Sequence, residues 1–394
     1  MSSKRTRSAI VGVAYSPIVR HADRTIGAIT ADTCKAAVAD AGLTLADIDG
    51  LSVYPVAARI GAGDKDGVDF VGAPFLAQAL GLRDLNWSSS ITNGTVVGSV
   101  VNAMHAVASG ACKTVLVWRS MHNPPGKYGS FQATEVGGDA QFTVPYGYAN
   151  NVMHFAFAYS QYMARYGATR EHMATYVVNC RKNAAINPNA IHFGKPITRE
   201  DYMKARMIAE PLSILDCDMP IDACGALVIT SAERARDLRR PPAYLVGGVN
   251  GGYRYTHSPI LELEAFQESG ALFAKALWAQ TGMGPRDMDF ASLYDSFSMQ
   301  VYPWLESLGF CAEGEAHEFV QGGRIALDGA FPVNPCGGGP GVGRLQGAAL
   351  IIDAALQIQG RAGERQLQRA NLAAVTTGTA VTGAGGVVLS REPL

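Results

Sequence analysis

No two cysteines in this 394-residue chain stand two residues apart; the seven are scattered at 34, 112, 180, 217, 224, 311 and 336. An odd, unpaired set fits neither a disulfide framework nor a zinc site and points to a reducing, cytoplasmic compartment. Lysine and arginine form no cluster interleaved with aromatics, and the formal net charge is only -1, which argues against nucleic-acid binding. The basic start, Met1 to Arg7, is followed by an apolar run at Ser8–Val13 too short for a signal-peptide core. Two long stretches, Trp87–Cys112 and Asn371–Ser390, hold no Asp, Glu, Lys or Arg. Both are rich in Gly, Ser, Thr and Asn rather than Leu and Ile, so they gain little from lipid and are not read as membrane spans. At 48% hydrophobic and 17% charged, the chain is a folded globular one.

What the uncharged stretches do encode is burial. Val96–Val107 reads as a helix of small residues with no charged face, and such a helix belongs between layers of a domain. Asn371–Ser390 reads as two strands, near Leu372–Thr377 and Val387–Ser390, joined by the glycine-rich Gly378–Gly386. An internal repeat then organises the chain. Residues 41–54 align without a gap on 281–294, matching Gly42 with Gly282, Asp47 with Asp287, Asp49 with Asp289, Ser52 with Ser292 and Tyr54 with Tyr294. Each copy follows an amphipathic helix (Thr30–Ala41, Gly270–Thr281) that a glycine terminates. Small-residue helices at Gly98–Gly110 and Gly347–Gly360, each followed by an apolar strand, extend the match.

Two similar halves of alternating helix and strand imply an α/β fold, with a sheet in each half and the uncharged helices between them. The expected arrangement has five layers, α/β/α/β/α. The halves are placed at 1–240 and 241–394, the first interrupted by an insertion over about 120–240 that carries helices at Ala149–Tyr166 and Arg170–Ile186. An inserted region of this kind is expected to lie over the site.

Several short motifs carry a family likeness. They are Asn187-Pro188 with Ala190, Glu210-Pro211-Leu212, and Asp216-Cys217 followed by Asp222 to Ala226; then Tyr294-Asp-Ser-Phe297, Leu305 to Cys311, Pro332-Val-Asn334 and Gly337–Gly339. In this order and spacing the chain resembles the thiolase superfamily, in its lipid-transfer, sterol-carrier-protein-x branch, over essentially its whole length. The resemblance implies a thiolase fold. It also implies catalytic positions that this chain does not fill. The nucleophilic cysteine position falls at or near Asn93, and no cysteine lies between Cys34 and Cys112. The second cysteine position falls near Ala380, the Gly-His-Pro motif on Gly343-Arg344-Leu345, and the Asn-Glu-Ala-Phe motif on Tyr294-Asp-Ser-Phe297. Ordinary thiolysis is therefore not expected.

A backbone oxyanion hole survives such replacements, and the resemblance puts it near Asn93 and Thr382. A retro-aldol cleavage of a β-hydroxyacyl-CoA needs that hole and an acid/base group, but no covalent nucleophile. Some similar members of the branch cleave steroid side-chain CoA thioesters in this way and use tyrosines, one in the motif that holds Tyr294. Tyr294 is accordingly the first catalytic candidate. A tyrosine has an ordinary pKa near 10, so a basic role needs a cationic neighbour, for which Arg344 is the candidate. Arg344 alternatively binds a CoA phosphate or caps a helix, and Asp295 either orients a neighbour or caps a turn. Cys336 borders the site as a relocated nucleophile or is an inert buried thiol. His122 and His257 are lone loop histidines, left outside the mechanism, and Gly337–Gly343 lacks the lysine of a phosphate loop.

Two functions stay in view: a carbon–carbon lyase acting on a bulky, steroid-like acyl-CoA, and a non-catalytic acyl-CoA-binding or scaffold subunit. No cofactor beyond the substrate's coenzyme A is expected. The resemblance further implies a small OB-fold, zinc-ribbon partner protein and a homodimer joined at a sheet edge, for which the apolar strand Thr114–Trp118 is the candidate.

Overall fold

The computed structural model describes residues 6–54, 65–91, 95–123, 135–148, 150–251, 260, 262–379 and 383–394. Nine strands are numbered here in chain order: β1 (Ser8–Tyr15), β2 (Gly50–Val53), β3 (Trp87–Ser90), β4 (Thr114–Met121), β5 (Ala223–Ser231), β6 (Ala243–Asn250), β7 (Phe290–Ser292), β8 (Leu372–Thr377) and β9 (Gly385–Ser390). Helices of eight residues or more are α1 (Ile26–Asp40), α2 (Ala73–Leu80), α3 (Thr95–Ser109), α4 (Asn151–Tyr166), α5 (Arg170–Ala185), α6 (Leu263–Thr281) and α7 (Ala348–Ile358).

The strands lie side by side in the order β3, β2, β4, β5, β1, β6, β9, β8, β7. Outward from the central pair β1 and β6, each half runs through its first, last, next-to-last and second strand. The pairings repeat as well: antiparallel, antiparallel, then parallel. The two half-sheets are not separate, because Ser8–Ile10 of β1 pairs antiparallel with Ala243–Leu245 of β6.

The repeated residues explain the repeated geometry. Gly42 and Gly282 both take left-handed backbone, at φ 75° and 71°, where a side chain would be strained. The Asp49 carboxylate accepts the backbone N–H groups of Lys113 and Thr114 at the start of β4, and Asp289 accepts those of Asn371 and Leu372 at the start of β8. One carboxylate thus stitches two parallel strands in each half.

Helix α3 buries ten of its fifteen residues, which its lack of charge predicted, and it packs on strands of both halves together with α7. Helices α1 and α2 cover the outer face of the first half, and α6 covers that of the second. The five layers follow. Among the described residues, no helix is long and apolar enough to cross a membrane.

Two expectations are corrected. Thr114–Trp118 is no edge: β4 lies between β2 and β5, and Trp118 is fully buried. A strand apolar along its whole length is buried on both faces, which is the mark of a central strand. The edge of the first half is β3, short and serine-rich. The stretch 120–240 is likewise not all insertion, since β5 within it is a central strand paired with β1 and β4. The part that does lie over the site carries α4 and α5, close to the spans expected.

Candidate active site

Strand β7 ends where Leu293 N–H donates to Asn334 Oδ1 (2.6 Å) and Tyr294 N–H donates to Thr376 Oγ1 (3.2 Å). These bonds turn the chain out of the sheet, and Tyr294, Asp295 and Ser296 line a small cavity. Asp218, Gly338, Gly339, Leu345, Gln346 and Gly347 complete most of the wall. The segment holding Asp218 is tied in on both sides: Asp218 N–H donates to Ser296 O (2.9 Å), and Arg344 N–H donates to Met219 O (2.8 Å).

Asp295 is almost wholly buried and fully engaged. It accepts the Tyr176 hydroxyl of α5 (2.6 Å) on one oxygen and Gly339 N–H (2.8 Å) on the other. Burial raises its pKa to about 6, with these donors holding it down against a larger rise. A Cβ on Gly338 would stand 2.1 Å from Asp295 Oδ2, and its φ is +60°, so only glycine lets the loop close on the carboxylate. Asp295 therefore fixes the wall of the cavity and links it to the insertion. Asn183 and Asn187 of the same region donate to the carbonyls of Asn334 and Cys336.

Tyr294 is 8% exposed. Burial pushes its hydroxyl well above the ordinary range, the charge of Asp218 pushes it further, and Ser296 and Arg119 act the other way. The hydroxyl is thus a neutral proton donor at neutral pH, not a ready base. A cation that acts on it is Arg119, which no sequence signal singled out. Arg119 is buried at the end of β4; it donates to Tyr54 O (2.7 Å) and to the Gln346 side chain, and lies over the Tyr54 ring at 5.1 Å. Burial lowers its pKa to about 10, with Arg344 adding to that, so it stays charged. Tyr54 in turn raises the Tyr294 pKa, so the fold brings the two tyrosines of the internal repeat close enough to interact.

Asp218 is the other residue that no sequence signal singled out. It is half-buried on the cavity wall, and burial, followed by the charge of Asp295, lifts its carboxyl well above the usual range. Strain gathers nearby. Thr95, Asn334 and Gln346 are the described non-glycine residues with positive φ. Thr95 Oγ1 is buried without a hydrogen-bond partner among the described residues, 3.6 Å from where Gly347 would carry a Cβ. Asn93 and Thr382, expected at the oxyanion hole, lie outside the described residues, as does His257. Cys336 is buried away from the cavity wall, and burial, with Asp353 beside it, keeps its thiol protonated. His122 is occupied by Asp222 (3.0 Å).

The geometry, then, is a small cavity lined by one neutral phenol and two raised carboxyls, with no cysteine on its described wall and with the buried Arg119 reaching Gln346 of that wall. Comparison with known proteins agrees with that chemistry. The thiolase C-terminal domain-like family matches residues 252–391. A 17-hydroxy-3-oxo-4-pregnene-20-carboxyl-CoA lyase of Mycobacterium tuberculosis is 33% identical over 367 residues, 90% of this chain and 92% of that one. A steroid side-chain-cleaving aldolase of Thermomonospora curvata is 34% identical over 398 residues, 98% of each chain. The solved Ltp2-ChsH2(DUF35) aldolase superposes with a TM-score of 0.88 at 32% identity, covering 98% of each chain. The chain belongs to the thiolase superfamily, in the lipid-transfer-type branch that contains the steroid side-chain-cleaving aldolases.

Proposed function

We propose that this protein is a retro-aldolase that cleaves the Cα–Cβ bond of a β-hydroxyacyl-CoA bearing a steroid or similarly bulky side chain. The observation that carries the reading is the cavity itself, which brings Tyr294 together with titratable carboxyls and presents no thiol. A basic group takes the β-hydroxyl proton, the Cα–Cβ pair passes into the thioester, and Tyr294 delivers a proton to Cα. The cavity is small and does not hold a polycyclic body. The ring system then extends beyond it. The reading calls for no cofactor other than the coenzyme A of the substrate. Backbone N–H groups near Asn93 and Thr382 are the proposed oxyanion donors, and Arg344 is assigned to substrate or charge balance near Arg119.

The experiment is a pair of assays on the protein with its partner. Cleavage of a β-hydroxyacyl-CoA should release a carbonyl product and a shortened acyl-CoA. Thiolysis of acetoacetyl-CoA or a longer 3-ketoacyl-CoA should be undetectable, and Cys336→Ala should not alter turnover. Thiolysis that Cys336→Ala abolishes would overturn the assignment. The DUF35 component named in the solved relative supports a partner for this chain, of the small OB-fold, zinc-ribbon type. Acyl-CoA binding without cleavage, with or without that partner, would instead favour the scaffold reading.

The division into halves at 240/241 and a cytoplasmic location complete the proposal; the seven free cysteines support the latter. We also assign the dimer to β3. Among the described residues it pairs on one side only, with β2, and its serines alternate between half-buried and exposed. The opposite edge, β7, is bridged by Val333. An open polar edge of this kind pairs with its own copy across a two-fold axis. Sedimentation at micromolar concentration should therefore show a dimer, and a stable monomer would refute the pairing.

A further inference from the structure

We propose that Asp218 is the catalytic base of the cleavage, working with Tyr294 as a proton-transfer pair. The inference rests on the retro-aldolase reading and deepens it. Asp218 lines the same cavity as Tyr294, and its backbone is pinned to Ser296 O, two residues beyond that tyrosine. Its neighbour on the wall, Asp295, has both oxygens committed to Tyr176 and Gly339 and is not free to take a proton from a substrate. Among the described residues the Asp218 side chain makes no hydrogen bond or ion pair, and the residue lines the cavity. The charged and titratable groups around it are Tyr294, Asp295 and Cys217, with Arg119 acting from β4 through Tyr294.

Placement in a poorly solvated cavity beside a second carboxyl strengthens Asp218 as a base, since both raise the carboxylate's affinity for a proton. The step balances without a co-reactant. The Asp218 carboxylate takes the β-hydroxyl proton as the C–O bond becomes a carbonyl. The Cα–Cβ electron pair becomes the thioester enolate, which accepts the Tyr294 proton at Cα. The Asp218 carboxylic acid then returns its proton to the tyrosinate. One proton has moved from oxygen to Cα, one carbon–carbon bond has broken, and both side chains are restored. The raised Tyr294 hydroxyl suits this part, because its tyrosinate is readily reprotonated by the Asp218 carboxylic acid.

The test uses the complex of this chain with its partner and a β-hydroxyacyl-CoA. Asp218→Asn should lower kcat/KM by a factor of roughly 10²–10⁴, the usual worth of a general acid or base. Affinity for an unreactive acyl-CoA should stay within about threefold, against the tenfold that a lost 1.4 kcal/mol contact would cost. Asp218→Glu should recover part of the loss, which a merely misfolded site would not. In the wild type, kcat/KM should fall as pH drops through the raised carboxyl pKa, and that acid limb should vanish in Asp218→Asn. A limb that persists in the variant belongs to Asp295 and overturns the proposal, as does near-normal kcat/KM. If the wild-type complex cleaves no β-hydroxyacyl-CoA, the retro-aldolase reading itself falls and takes this assignment with it.

Discussion

Tyr294→Phe is expected to lower turnover on a β-hydroxyacyl-CoA by a factor of roughly 10²–10⁴, with little change in the affinity of a substrate analogue. The substitution removes one hydroxyl and keeps the ring in its buried place at the end of β7. Folding should change by no more than about 1 kcal/mol, the net worth of a single neutral hydrogen bond. The loss should fall on kcat, because the proton is needed only once the Cα–Cβ bond has broken. A second readout separates chemistry from packing. If Tyr294 supplies the Cα proton, the phenylalanine variant should release the carbonyl product with protonation at Cα slowed, so deuterium from solvent should enter the shortened acyl-CoA less selectively. Near-normal turnover would remove Tyr294 from the mechanism and leave the cavity to Asp218 and water.

The largest expected effect on stability lies one helix away. Arg365→Met should destabilise the fold by about 3–5 kcal/mol, the cost of leaving a buried partner charge uncompensated. Arg365 and Asp353 pair directly, with side chains 5% and 1% exposed. Burial raises the Asp353 carboxyl in spite of the guanidinium beside it, so its charge depends on the pair. Asp353 sits on α7, about one turn beyond Ala349 and Leu350 of the cavity wall, and Arg365 also reaches the Pro335 carbonyl, next to Cys336 and the glycine loop that closes on Asp295. Losing Arg365 should therefore loosen the site as well. The double variant Asp353→Leu with Arg365→Met should recover much of the loss, since an apolar pair can replace a buried ion pair of similar volume. Urea midpoints of the two singles and the double close the cycle. A single-variant cost below about 1 kcal/mol would show that the pair carries little of the core.

The internal repeat and its consequences were legible in the residues alone. Gly42 and Gly282 mark helix ends, Asp49 and Asp289 mark strand starts, and the missing charges of Val96–Val107 mark a helix hidden on nearly all sides. These are local signals, set by backbone sterics and by the cost of burying charge, and each survives translation into three dimensions. The same rule did not anticipate Asp353. A charged residue on the second buried helix is tolerated because Arg365 arrives from beyond the helix to pair with it. The Tyr294-Asp295 motif was visible as well, together with the vacancy of the cysteine positions.

Only the tertiary structure decided which residues meet. Asp218 follows Asp216-Cys217 on a connecting segment, and Arg119 lies near the end of a strand, both in the half that does not hold Tyr294; neither has a pattern that distinguishes it from a surface residue. They converge on Tyr294 because Arg119, at the end of β4, reaches Gln346 of the cavity wall and because Ser296 O holds the Asp218 backbone. Strand order had the same limit. The apolar run Thr114–Trp118 reported that both its faces are covered, but not by which neighbours, and the sheet edge fell instead to the serine-rich β3. A sequence period measures how one segment's own faces are solvated. Which distant segment supplies the opposing face is settled by non-local packing and pairing, and that is where Asp218, Arg119 and Tyr294 became one site.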